Sequence, residues 1–260
     1  MSKALLIGIN KYHLPGNDLR GCINDVIDVK AMLLAHYGLG ESDIRLLTDS
    51  AATKNGILDS LGWLTGSGDS NLILYYSGHG TRVSDSNNDE TDRLDEALCP
   101  HDVYDERTVI TDDTIASYIS RLPSTARFQF VADCCHSGSI DRQFPLSNPH
   151  YRRAKFLVLP DSKIKRGAKP IRRTRELAAG SAQRLLLSGC RDDQTSADAW
   201  FNGRANGALS YFFLSVLRLH KRATWRHVHS RAISLLARNG YDQIPQLSGP
   251  GAMLAAPVFM

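Results

Sequence analysis

Two residues stand where nucleophilic chemistry would be expected. Cys135 closes an apolar run, RFQFVADCCHSG (127–138), at the point where glycine and polar residues force the chain to turn. A thiol at a strand end can be activated by a neighbouring base and by backbone amides. His79 holds an equivalent place in NLILYYSGHG (71–80), with glycines on both sides that leave the imidazole uncrowded. Either residue alone reads as an ordinary buried side chain; both at strand ends beside glycine turns read as a nucleophile and its base. They lie 56 residues apart, which matches the spacing of a caspase-type His and Cys, although the local caspase signature is absent.

The elements that would position them alternate. Apolar runs at 4–9, 43–49, 71–80, 127–138 and 184–190 read as strands, and QIPQLSG (243–249) closes the chain. Helical spacing of apolar residues marks 22–39, 51–63, 208–219 and 224–239, with Thr53 as an N-cap and a further helix beginning near Thr111–Asp112. This order predicts an α/β fold: a mostly parallel central sheet of about six strands, with helices on both faces. Ligands of such sheets bind at the carboxyl ends of the strands, where SGHG and DCCHSG lie.

Composition narrows the class. At 260 residues, 42% hydrophobic and 22% charged, the chain is neither disordered nor fibrous. Its five cysteines are scattered, and MSKALLIGINKYH reads as a buried strand rather than a signal peptide, so a cytoplasmic location is expected. The net charge of +4 hides an acidic stretch at 85–113 and a basic one at 152–175. Asp85, Asn87, Asp89 and Glu96 fall at EF-hand-like spacing, but Glu90 stands where that loop needs glycine. The segment 141–182 reads as a long exposed loop.

The sequence resembles the metacaspases (type I and their bacterial relatives) of the caspase-like cysteine peptidases. The resemblance is carried by ALLIGIN, LRGCINDV (19–26), YYSGHGT (75–81), DETDRLDEALCPHD (89–102), VITDDTI (109–115), DCCHSGSI (133–140), SGCRDDQTSAD (188–198) and PQLSG (245–249). It implies one caspase-like domain over 1–260: a large-subunit-like part (1–140), a basic linker (141–182) and a small-subunit-like part (183–260). No pro-domain is expected before it.

Roles follow from the resemblance. Cys135 matches the nucleophile and His79 the general base and acid, with the oxyanion held by N–H groups of Gly80 and Cys135. Asp25, Ser77 and Asp133 match the specificity pocket, and paired carboxylates select Arg or Lys before the cut. Asp25 by itself reads equally well as a solvated acid at a helix start. Asp192, Gln194 and Asp198 would shape the pocket rim. Calcium, as an activator, would be held by Asp95, Asp112 and Asp113, with Asp141 one residue out of register; a plain acidic loop is the alternative. No organic cofactor is implied. Cys134, His136 and Cys190 are given no catalytic role.

The basic segment has three readings: a nucleic-acid patch, a solvated loop, or a linker cut by the enzyme itself or by an upstream protease. The third places the cut after Lys165, Arg166, Arg172, Arg173 or Arg175. The expected partners are protein or peptide substrates, with no membrane, no nucleic acid, and a monomeric chain. The rival reading is a catalytically silent caspase-like interaction module.

Overall fold

The computed structural model describes residues 1–85, 94–136, 152–160, 183–191 and 194–260. Six strands form the central sheet: β1 (Ser2–Gly8), β2 (Ile44–Thr48), β3 (Asn71–Ser77), β7 (Arg127–Asp133), β9 (Arg184–Ser188) and β12 (Gln246–Ser248). Their order is β12-β9-β7-β3-β1-β2. All neighbours are parallel except β12, which runs antiparallel to β9. Among the described residues six α-helices flank the strands: α1 (Cys22–His36), α2 (Lys54–Thr65), α3 (Asp112–Ile119), α4 (Ala208–Leu219), α5 (Trp225–Arg238) and α6 (Gly251–Ala255).

The inner strands are largely apolar because both of their faces are covered. Alternate residues point to opposite sides. Leu5, Ile7, Leu72, Leu74, Phe128 and Phe130 pack with Ile57, Leu61, Ile115 and Ile119 of α2 and α3. Their neighbours Ala4, Leu6, Ile73, Tyr75 and Val131 pack with Val26, Leu33, Leu209 and Phe213 of α1 and α4. The α/β arrangement expected from the alternation is the one observed. Threonine hydroxyls cap three helices: Thr53, as the sequence reading expects, accepts from Gly56 N–H, and Thr111 accepts from Thr114 and Thr224 from His227.

Two smaller sheets lie outside the sequence reading. One joins β4 (Gly80–Ser84), β5 (Leu94–Leu98) and β6 (Ile110–Thr111); the other joins β8 (Arg152–Ala154), β10 (Ala197–Phe201) and β11 (Arg204–Gly207). The second corrects the expectation that 141–182 is an exposed loop. Residues 152–154 pair antiparallel with β10, and Lys155, Leu157 and Leu159 are buried. Pairing with a distant strand, which local polarity does not encode, overrides the local composition. Residues 141–151 and 161–182 lie outside the described residues, as do Asn87, Asp89 and Glu90 of the EF-hand-like spacing. Among the described residues no helix is long and apolar enough to cross a membrane.

One polar side chain crosses the apolar core. Gln129, in the middle of β7, donates to Asn71 Oδ1 at 2.5 Å and accepts from Trp225 Nε1 and the Phe259 amide, both at 3.0 Å. Asn71 in turn donates to the Phe259 carbonyl at 3.0 Å, so this network pins the end of the chain to the sheet. Gln129→Leu leaves the Trp225 and Phe259 donors unsatisfied, and a loss of about 2–6 kcal/mol in urea unfolding is expected, from about 1–3 kcal/mol per orphaned group.

Candidate active site

The parallel register sets Ser77 of β3 directly beside Asp133 of β7. Both strands end there, so His79 and Cys135 leave adjacent strand ends on the carboxyl edge of the sheet. Residues 152–157 run across this edge.

Lys155 is fully buried, and its ammonium ends among the residues expected to form the specificity pocket. Nζ donates to Ser77 Oγ at 2.8 Å and lies 3.1 Å from Asp133 Oδ2 and 3.5 Å from Asp25 Oδ2. Asp25 also accepts from Ser77 Oγ (2.7 Å), Asn206 Nδ2 (2.8 Å) and the Gly207 amide (3.0 Å). Asp133 accepts from Ser196 Oγ and Ser210 Oγ, each at 2.6 Å. Gly207 closes the pocket: a Cβ there would collide with Asp133, Lys155 and Asp25. Burial pushes the Asp25 carboxyl up to about 7; Lys155 opposes the rise and Asp133 adds to it. Burial disfavours the Lys155 ammonium, but Asp133, Cys22, Asp25 and Asp198 together hold its pKa well above the ordinary lysine value.

The backbone of the same segment is equally constrained. The Lys155 carbonyl accepts from Gly80 N–H at 3.0 Å and from Cys135 N–H at 3.2 Å, the two donors expected to hold an oxyanion. Lys155 N–H donates to the Ser196 carbonyl at 2.9 Å, and Leu157 N–H to the Gly80 carbonyl at 2.9 Å. A Cβ at Gly80 would strike the Cys135 carbonyl, so glycine is needed for these strand ends to approach. Upstream, Arg153 donates to the Asp18 carbonyl at 2.6 Å and to that of Gly16.

His79 is clamped by two tyrosines. Its amide donates to Tyr12 Oη at 2.7 Å, and Tyr76 Oη donates to its carbonyl at 2.6 Å. The ring nitrogen Nε2 lies 2.8 Å from the Asn17 carbonyl. A carbonyl only accepts, so Nε2 carries the hydrogen and Nδ1 is a lone pair. That Nδ1 is buried without a hydrogen-bond partner among the described residues. Burial lowers the His79 pKa to about 3, partly opposed by the Asn17 carbonyl, so the ring is neutral at ordinary pH. The Cys135 thiol is engaged elsewhere: Ser196 N–H donates to Sγ at 2.5 Å, and Sγ lies 3.4 Å from the Ser196 carbonyl.

Other expected residues fall as follows. Asp198 is buried and accepts from the amides of Arg20 and Gly21, each at 2.8 Å, fixing the start of α1. Gln194 donates to the Asp242 carbonyl and accepts from the Ile244 amide. Asp192, Asp141 and the expected cleavage positions Lys165, Arg166, Arg172, Arg173 and Arg175 lie outside the described residues. Asp95 sits on β5, and Asp112 and Asp113 open α3. Burial, then Glu96, Asp113 and Asp95, push the Asp112 carboxyl up to about 8. Among the described residues no three His, Cys, Asp or Glu side chains are arranged to hold a metal ion. Cys134 and Cys190 are buried and unbridged.

Comparison with known proteins places this geometry. Residues 2–142 match the model of the metacaspase peptidase C14 domain. Metacaspase-1 of Scheffersomyces stipitis and metacaspase-1 of Schizosaccharomyces pombe are each 32% identical over 95% of this chain, which spans 70% and 66% of their lengths. A crystal structure of a protein from Geobacter sulfurreducens superposes with a TM-score of 0.71 at 24% identity, covering 100% of this chain and 98% of that one, and shares the fold. A caspase-like cysteine peptidase is the class that the fold and these relatives define. Within it, the chain belongs to the metacaspase family of C14 peptidases, enzymes whose substrates are proteins or peptides.

The buried neutral imidazole has a measurable signature. In the unfolded chain His79 binds a proton near pH 6.5, whereas the folded site resists it down to about pH 3. The stability it contributes is present above 6.5 and is lost as pH falls toward 3. Relative to His79→Gln, the native chain is therefore expected to lose about 1.4 kcal/mol per pH unit below 6.5, read from urea unfolding at stepped pH.

Proposed function

We propose that this metacaspase cleaves peptide bonds after Lys or Arg, with Cys135 as nucleophile and His79 as its base, and that its own Lys155 occupies the cleft as a substrate would. The observation that carries the reading is Lys155 itself: ammonium against Asp133, Ser77 and Asp25, carbonyl oxygen between the amides of Gly80 and Cys135. A planar guanidinium fits the same carboxylates through paired hydrogen bonds.

The chemistry follows from these positions. The Cys135 thiol leaves Ser196, and His79 Nδ1 takes its proton. The thiolate sulfur bonds to the carbonyl carbon of the Lys or Arg residue, and the carbonyl electron pair moves to oxygen, held by the Gly80 and Cys135 N–H groups. Collapse breaks the C–N bond, and the imidazolium gives its proton to the departing amine. Water, losing a proton to His79, then attacks the thioester and releases the carboxylate and the free thiol. Asn17, through its carbonyl, holds the imidazole in the tautomer that leaves Nδ1 available. Calcium fits as an activator rather than a reactant. The carboxylates of Asp95, Asp112 and Asp113 are of the hard type it takes. Among the described residues they are not arranged as a ready ligand set, so a cation would have to draw them together. It would then offset the part of the Asp112 rise that Glu96, Asp113 and Asp95 add to burial.

The bond favoured for self-cleavage is Lys155–Phe156, the one whose carbonyl lies in the cleft, ahead of the candidates further along the basic segment. Mass spectrometry of the purified chain is expected to give fragments ending at Lys155 and beginning at Phe156, and an intact chain for Cys135→Ala. Cleavage only after Lys165 or beyond would reject this bond. On fluorogenic peptides, turnover is expected with Arg or Lys before the cut and not with Asp. Asp133→Asn should lower kcat/KM on the Arg peptide about 100-fold or more, the usual cost of removing one partner of a buried charge pair. Turnover of the Asp peptide in preference would overturn the pocket assignment. Chelation of calcium is expected to lower the rate on the Arg peptide, restored by its return.

A further inference from the structure

We propose that the C-terminal end of α5 forms a subsite for a guanidinium group, which selects arginine at the fourth position before the cut. This rests on the reading of 152–155 as a bound substrate strand. Counting back from Lys155 as the first position, Ala154 is the second, Arg153 the third and Arg152 the fourth. The antiparallel register with β10 fixes their spacing: Ala154 opposite Ala197, Arg153 opposite Asp198, Arg152 opposite Ala199.

Arg152 is held by three groups. Its Cζ lies 4.0 Å from the centroid of the Tyr241 ring. Nη1 donates to the Gly240 carbonyl at 2.7 Å, and Nη2 to the Asn239 carbonyl at 3.2 Å. The chain builds these acceptors for a local reason. Helix α5 ends at Arg238, and Gly240, at φ 72°, turns the chain away in the left-handed conformation glycine tolerates. Carbonyls at a helix end lack intrahelical partners and sit at the negative end of the helix dipole. Tyr241 is fixed in turn, its ring 5.9 Å from that of Phe201 and 6.1 Å from that of Phe212. The cage therefore stands ready whether or not Arg152 is in it.

Its chemistry differs from that of the Lys155 pocket. There, carboxylates accept any cation of the right reach. Here no carboxylate bonds the guanidinium among the described residues; two carbonyls and one aromatic face receive it. A flat, weakly hydrated cation can stack on the ring while its fork reaches both oxygens; a strongly hydrated ammonium cannot do both. The subsite is accordingly specific for arginine over lysine, and a protein substrate of sequence Arg-x-x-Lys or Arg-x-x-Arg would use it once residues 152–157 have left.

The test compares three fluorogenic peptides, Arg-Ala-Ala-Lys, Lys-Ala-Ala-Lys and Ala-Ala-Ala-Lys, on the active chain. The Arg peptide is expected to exceed the Ala peptide about tenfold in kcat/KM, in line with a desolvated cation–π contact and two charge-assisted hydrogen bonds, with the Lys peptide between them. Tyr241→Phe keeps the aromatic face and should keep most of the ratio, losing only what the phenol oxygen adds beside Arg152; Tyr241→Leu should bring it toward one. Equal rates on all three peptides, by a chain that still prefers Lys to Asp at the cut, would overturn the subsite alone. Turnover of none of them would overturn the reading above. The subsite is then read by calorimetry with uncleavable Arg-Ala-Ala-Lys and Ala-Ala-Ala-Lys amides on the Cys135→Ala, Arg152→Ala, Lys155→Ala chain. Binding about tenfold tighter for the first supports it, and equal affinity rejects it.

Discussion

A single buried ammonium organises the edge of this sheet. The carboxylates and hydroxyl around Lys155 come from four different places: Asp25 on α1, Ser77 on β3, Asp133 on β7, and Asp198 on β10, whose charge also reaches it. Taking such carboxylates out of water is costly, and each is balanced only by well-aimed donors and a cation between them. The serines at 196 and 210, Asn206 and the Gly207 amide supply those donors. An uncharged occupant would leave the acids uncompensated, so the pocket is electrostatically committed to a cation before any ligand is considered.

The strand that delivers the cation also shapes the surroundings of the thiol and the imidazole. Lys155 N–H and the Cys135 sulfur share the backbone of Ser196 as partner, one at its carbonyl and the other chiefly at its N–H. His79 lies dry beside them, and the positive charges of Arg153 and Lys155 add to burial in keeping it neutral. A neutral imidazole with a bare Nδ1 is the form a base requires, but the thiol is not yet turned to it. Occupied pocket and disengaged thiol thus occur together, and both trace to contacts with the loop that leads into β10.

Much of this was legible in the sequence. The five apolar runs became five of the six strands of the central sheet, because strands covered on both faces carry little polar alternation to blur them; β12, within QIPQLSG, has no such run. Thr53 marked a helix start by side-chain chemistry that acts over three residues, and Thr111 and Thr224 cap their helices in the same way. The residues brought together at the strand ends, among them His79, Cys135, Asp25, Ser77 and Asp133, stood in short motifs. What was missed acts over long range or through the backbone. Asn17 contributes a carbonyl, which any residue could supply, so its side chain carried no signal. Arg152 to Lys155 read as solvated because their partners lie on β10, α1 and the end of α5, far along the chain. Gln129 did leave a trace, a lone amide inside an apolar strand, and Lys155 left another by preceding the apolar residues FLVL.

Residues 152–157 belong to the same chain as the groove they fill, joined to the Cys135 turn by the 16 residues 136–151. They compete with incoming peptides as a tethered ligand, whose effective concentration is set by the length of the connection rather than by the concentration of protein. Dilution cannot weaken that competition, and neither can lowering the expression of the protein. Scission of one peptide bond would not abolish it at once either, since the upstream fragment would stay attached through the turn. Access to the groove is thereby set by the strand's own unpairing equilibrium against β10, an intramolecular quantity that is the same in a crowded cell and in a dilute assay.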